Sequence, residues 1–180
     1  MMRGLNMSGM ADTGTVALDG SCLRTGFDLW QFFRPVSGLP SPADLNPARF
    51  VRLAPTSVLL DVAAERWDFR FRRVGERVAA LLEAPVTGAW MSECAGMGPA
   101  SPAFETARLA SRKREPMMTE AALALPVRQP IDGQAVFLPL AWDGRTVDTL
   151  LLVMETEGPV ALLENDPHPV LPARKPLIRH

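Results

Sequence analysis

The sequence predicts an α+β domain built on an antiparallel sheet, and three observations carry that prediction. A pair of strand-like runs stands at each end of the central stretch, short helical segments lie between them, and Asp143-Gly144 separates two runs of strand-forming residues. Hairpins at both ends with helices between them follow the order of an α+β fold rather than the alternation of a parallel sheet. One face of such a sheet is expected to pack against helices. The other is expected to be solvated or covered by a second copy of the chain.

Taken in order, residues 1–22 are rich in Met, Gly, Ser and Thr without an apolar period, which predicts a disordered leader. FDLWQFFR places Phe27, Trp30 and Phe33 three apart, a short amphipathic helix ended by Pro35 and Gly38. Asn46-Pro47 is a helix cap followed by proline at the first helical position, predicting one or two turns over Pro47 to Arg52. SVLLDV (Ser57–Val62) reads as a strand and AAERW as its turn. In the next strand Phe69 and Phe71 fall on one face, with Arg70 and Arg72 on the other. From Gly75 the period lengthens, and Val78, Leu81 and Leu82 share a helical stripe until Pro85.

After the glycine-rich AGMGPA loop, Ser101-Pro102 caps a helix whose Phe104, Ala107 and Ala110 line one side. Arg112, Lys113 and Arg114 suit the negative end of its dipole, and Pro116 closes it. MMTEAALAL is expected as a strand. AVFLPLAWDGRTVDTLLLVMETE then predicts a hairpin with a primed turn at Asp143-Gly144, where both central residues would need positive φ. Pro139 conflicts with an interior ladder and predicts a bulge or an outward-facing nitrogen. Five prolines between Pro159 and Pro176 predict an extended tail over 158–180, leaving a folded body of residues 23–157.

The totals narrow the function. Nineteen Lys and Arg against 20 Asp and Glu give no global basic field for nucleic acid or anionic lipid. The longest aliphatic run, Leu150 to Met154, is far short of the roughly 20 residues a spanning helix needs. The N-terminal residues carry no apolar stretch of signal-peptide length, so a cytoplasmic location is expected. Cys22 and Cys94 read as inert free thiols. Both histidines, His168 and His180, fall in the C-terminal tail, so the body lacks the commonest general base. No nucleophile elbow, phosphate loop, zinc-protease or paired-cysteine motif is present, and an enzyme is not expected. Glu65 to Arg77 interleaves five arginines with Trp67, Phe69 and Phe71, but its acidic residues cut the local excess to two positive charges. Nucleic-acid binding is therefore not expected.

Four stretches together resemble a family of short, single-module PAS-like proteins found in bacteria. They are FDLWQFFR with Trp30; LPSPADLNPARFVRLAPTSVLLDV with Pro40, Pro47 and Asp61; FRFRRVGERVAALLEAPVTGAW with Arg72, Gly75, Thr87, Gly88 and Trp90; and LPLAWDGRTVDTLLLVM with Pro139, Leu140 and Asp148. They span about residues 27–154 in the family's order, although Arg73 stands where the family usually carries an aliphatic residue. The resemblance implies a five-stranded antiparallel sheet of order 2-1-5-4-3 with helices across one face. It also implies a sensory or regulatory module that binds a small molecule in its pocket, or a partner protein, and signals through a protein partner. The alternative is a ligand-free interaction adaptor or dimerisation module.

Such folds hold haem, flavin, a small metabolite or nothing, so the cofactor is left open. Haem is disfavoured, because with no Tyr and no body His only Cys94 and methionines remain as axial ligands. A photoreactive flavin is disfavoured because Cys94, in MSECAGMG, lacks the Asn-Cys-Arg-type setting. Candidate pocket residues are Arg72, Trp90, Phe71 and Asp148. A guanidinium can hold a carboxylate by two bonds, and an indole supplies a flat wall and one donor. The plain alternatives are a surface ion pair of Arg72 with Asp68 or Glu76 and core packing for Trp90. Phe27, Trp30 and Phe33 are either core or the surface for a partner or a homodimer.

Overall fold

The structure is a computed structural model and describes residues 21–45, 47–82, 84–119 and 133–156. Helix α1 (Ser21–Phe33) opens the described chain, followed by a one-turn helix at Pro42–Asp44 and the short α2 (Pro47–Phe50). Another turn, Ala54–Thr56, leads into β1 (Ser57–Ala63), β2 (Asp68–Val74) and α3 (Glu76–Leu81). A turn at Met91–Glu93 precedes α4 (Pro102–Lys113), β3 (Met117–Thr119), β4 (Gly133–Leu140) and β5 (Thr149–Thr156). The five strands form one antiparallel sheet of order β2-β1-β5-β4-β3. The expected class, strand count and strand order are those observed. The predicted leader up to residue 20, the Asn46 cap, AALAL and the proline-rich tail lie outside the described residues.

Local chemistry explains most boundaries. Ser101 Oγ accepts the Phe104 N–H at 3.1 Å, satisfying one of the free donors that begin α4. Ser41 and Asp44 bond reciprocally as a capping box around the Pro42 turn. Helix α1 starts at Ser21, six residues before the predicted aromatic stripe, because Leu23 and Gly26 continue that stripe inward. A β-carbon on Gly26 would lie 2.9 Å from Val153 Cγ2, so only glycine lets the helix approach β5 this closely.

Helices cover both faces of the sheet, which corrects the expectation of one covered face. Cross-strand partners share a face, and Val153 of β5 pairs with Ser57 and Val136. Its face meets α1 through Gly26. Phe69 pairs with Val62 on the opposite face and stacks edge-on against Phe104 of α4, with ring centroids 5.2 Å apart. Accordingly Ala135–Leu140 and Leu150–Met154 are buried without alternation, as strands sandwiched on two sides must be.

In the final hairpin Pro139 takes the second of its two expected solutions, an outward-facing nitrogen, and the turn differs from expectation. The β4–β5 register runs unbroken through Pro139↔Leu150, so the ladder carries no bulge there. Strand β3 begins at Met117 opposite Phe137, short of Pro139, and the Pro139 carbonyl accepts the Trp30 indole N–H at 2.7 Å. Nitrogen and carbonyl of one strand residue point the same way, so the missing donor costs the ladder nothing. The connection is a longer loop, 141–148, in which Gly144 has φ +69 but Asp143 does not share the positive φ of a primed turn. Asp143 instead accepts the Arg145 and Thr146 N–H groups at 2.7 Å each, and Gly144 O accepts Leu39 N–H at 3.0 Å. The loop is thereby tied to the segment following α1.

Candidate functional site

The tip of the β1–β2 hairpin and the β4–β5 loop lie at the same end of the sheet. Asp61 pairs with Thr149 across β1 and β5, and Val62 N–H donates to Asp148 O at 2.9 Å. Three of the four proposed pocket residues lie toward this end, in two groups.

The first group is built on a bulge. Leu59 pairs with Arg73 and Leu60 with Phe71, so Arg72 is the extra residue in β2. The bulge turns its guanidinium across the sheet end, where it forms an ion pair with Asp61 and donates to Thr149 Oγ1 at 3.3 Å. Thr149 is fully buried and passes its own hydroxyl proton to Asp148 Oδ1 at 2.8 Å. Asp148 Oδ2 accepts the Trp142 N–H at 2.7 Å, holding the loop against the strand. Arg72 and Asp148 are therefore joined through Thr149, which the sequence reading did not single out. Asp61 already occupies the guanidinium, so Arg72 is ion-paired as the plain alternative has it, but with Asp61 across the β1–β2 ladder rather than with Asp68 or Glu76.

The second group surrounds Trp90, which forms an isolated bridge with Arg70 on the outer edge of β2. The Arg66 guanidinium lies over the indole at 4.3 Å, and that of Arg70 lies at 6.0 Å while its Nε donates to Gly88 O at 3.0 Å. Asp68 anchors this group from beneath. Its buried carboxylate accepts Phe69 N–H at 2.8 Å, Ser92 Oγ–H at 2.6 Å and Ser92 N–H at 3.3 Å. Nearby, burial, then Glu93, then Asp68 push the Cys94 thiol above its ordinary pKa. Cys22 and Cys94 are both free.

Phe71 belongs to neither group. It is buried in the core, and its backbone is bonded to Ala89 and Gly88 at 3.0 and 2.7 Å. Of the proposed partner surface, Trp30 is 4% exposed and bonded to Pro139, while Phe27 stacks on it and packs against the chain's own core. Phe33 is half-buried beside a cleft that also touches Trp30, Phe50, Leu140 and Leu151. That cleft holds about 10 Å³, room for a single water and no metabolite.

The most exposed features of the sheet end were missed from sequence. Trp67 and Trp142 are 58% and 61% exposed. Trp67 also has φ +52, a left-handed conformation that bulky residues rarely adopt. The signal available was a bulky aromatic closing the tight turn AAERW, where glycine or asparagine would be at ease.

Among the described residues no group of His, Cys, Asp and Glu is placed to hold a metal, and no helix is long and apolar enough to cross a membrane. Comparison with protein-family models, curated proteins and solved structures finds no match.

Proposed function

We propose that the chain is a PAS-like regulatory module that acts through protein–protein contact and holds no small molecule inside. The strand order agrees with what the sequence resemblance implies. The space between the sheet and α4 that could have received a ligand is occupied by Phe69, Phe71, Met91, Phe104 and Phe137, all buried. One observation carries the reading. Among the described residues the space beneath α4 is filled by these buried side chains, while two tryptophans stand open at one end of the sheet. Exposed tryptophan is enriched at protein interfaces, because a rigid apolar ring gains much by burial and loses little entropy. A partner bound there regulates by favouring one of two conformations, to the extent that it binds them differently.

Chemical cross-linking of the native full-length protein in its own cells tests this, alongside a Trp67→Ala/Trp142→Ala variant. A defined partner, a second copy included, should cross-link to the parent at near-stoichiometric yield and be lost from a variant with the parent's circular dichroism. Equal yields from both proteins would refute the reading.

A further inference from the structure

We infer that Arg66, Trp67, Arg70 and Trp90 form a docking site for an acidic peptide segment of a partner protein, one with a carboxylate next to an apolar side chain. This deepens the protein-contact reading above and rests on it. Among the described residues neither Arg66 nor Arg70 has a carboxylate within ion-pair distance. Asp68, two residues from each arginine, is turned inward and satisfied by three donors, and Glu65, adjacent to Arg66, makes no ion pair with it. The Arg66 guanidinium lies over the Trp90 ring, 4.3 Å from its centroid, a contact that restricts the side chain. A fixed planar fork matches a carboxylate by two parallel bonds, with less entropy to lose on binding.

Trp67 supplies the apolar half of the site. Its left-handed backbone is strained for any bulky side chain, and its ring is exposed rather than packed. A strained backbone that carries a largely exposed ring points to a role for that ring outside the chain.

The mode of binding follows from the edge of β2. Phe71 is bonded there to Gly88 and Ala89, and the Phe69 N–H is taken by Asp68, so a partner does not add a strand at these positions. It is held by side chains. A protein fits better than a nucleic acid, because Arg66 covers one face of Trp90 and so takes the surface on which a base would stack.

Fluorescence anisotropy on the full-length protein tests this with three labelled probes: a peptide alternating Glu and Leu, the same peptide with Gln for Glu, and an oligo-dT strand. The Glu peptide should bind saturably, at least about tenfold tighter than the Gln peptide, and weaken as salt is raised. Arg66→Gln/Arg70→Gln and Trp67→Gly should each lower its affinity at least about fivefold with the melting temperature retained. Glycine suits the left-handed position, so loss of binding in that variant cannot be assigned to unfolding. Equal affinity for the Glu and Gln peptides, binding indifferent to these substitutions, or preference for oligo-dT would overturn the proposal. If the peptide result fails while cross-linking still depends on Trp67 and Trp142, the acidic site falls and the protein-contact reading stands.

Discussion

At the scale of single residues, Trp67 sets stability against function. A side chain in the left-handed region costs about 1 kcal/mol, and an exposed ring recovers little of that by packing. Trp67→Gly should therefore raise unfolding stability by about 0.5–1 kcal/mol, read from the urea midpoint at unchanged slope, even as contact with a partner is lost. A fall in the midpoint would show that the ring packs internally. Cys94 gives a second prediction. Its pKa is raised by burial and by the neighbouring Glu93 and Asp68, so at neutral pH the thiolate fraction lies below that of an ordinary cysteine. Iodoacetamide should modify it more slowly than a model thiol at pH 8, and Glu93→Gln should speed the reaction. Arg72 was readable in sequence as a candidate, and its pairing as a plain alternative. The bulge that aims it at Asp61 and Thr149 was not, because an extra residue in a strand leaves no mark on a two-residue alternation.

At the scale of elements, the caps and turns were the most legible. Ser101-Pro102 does open α4, and Gly75 does mark the passage from β2 to α3. Gly75 shows why that passage is fixed. A β-carbon there would lie 2.2 Å and 2.4 Å from the carbonyl oxygens of Ala54 and Pro55. Both are backbone atoms, so the strand and the preceding turn would have to separate. Gly75→Ala should cost about 2–3 kcal/mol in denaturant unfolding, whereas Ala79→Gly, exposed on the adjoining helix, should cost about 1 kcal/mol. Similar costs for the two would mean that β2 and the Ala54–Thr56 turn are not held together as described. The Asp143-Gly144 hairpin was legible as a hairpin but not as a loop type. The turn was decided by Asp143 accepting two following N–H groups and by Leu39 reaching Gly144, and the second of these is a long-range contact that local sequence does not announce.

For the whole molecule, the sheet buried on both faces matters most. Its signal was present in Leu150 to Met154, a run read as a hairpin strand and as too short for a membrane span, but not as a strand covered on both sides. An unbroken apolar run of strand length also describes a strand with helices above and below, and that is the fate of β5. Helix α1 thus takes the face left open for solvent or a second copy, and Trp30 becomes core. Among the described residues the interior is filled by the chain's own side chains, and the proposed function therefore places recognition at the hairpin end. Mass and absorbance spectra of whatever the purified native protein releases on denaturation test this most directly. The account predicts no small molecule approaching one per chain. A stoichiometric compound released from the parent protein would contradict it.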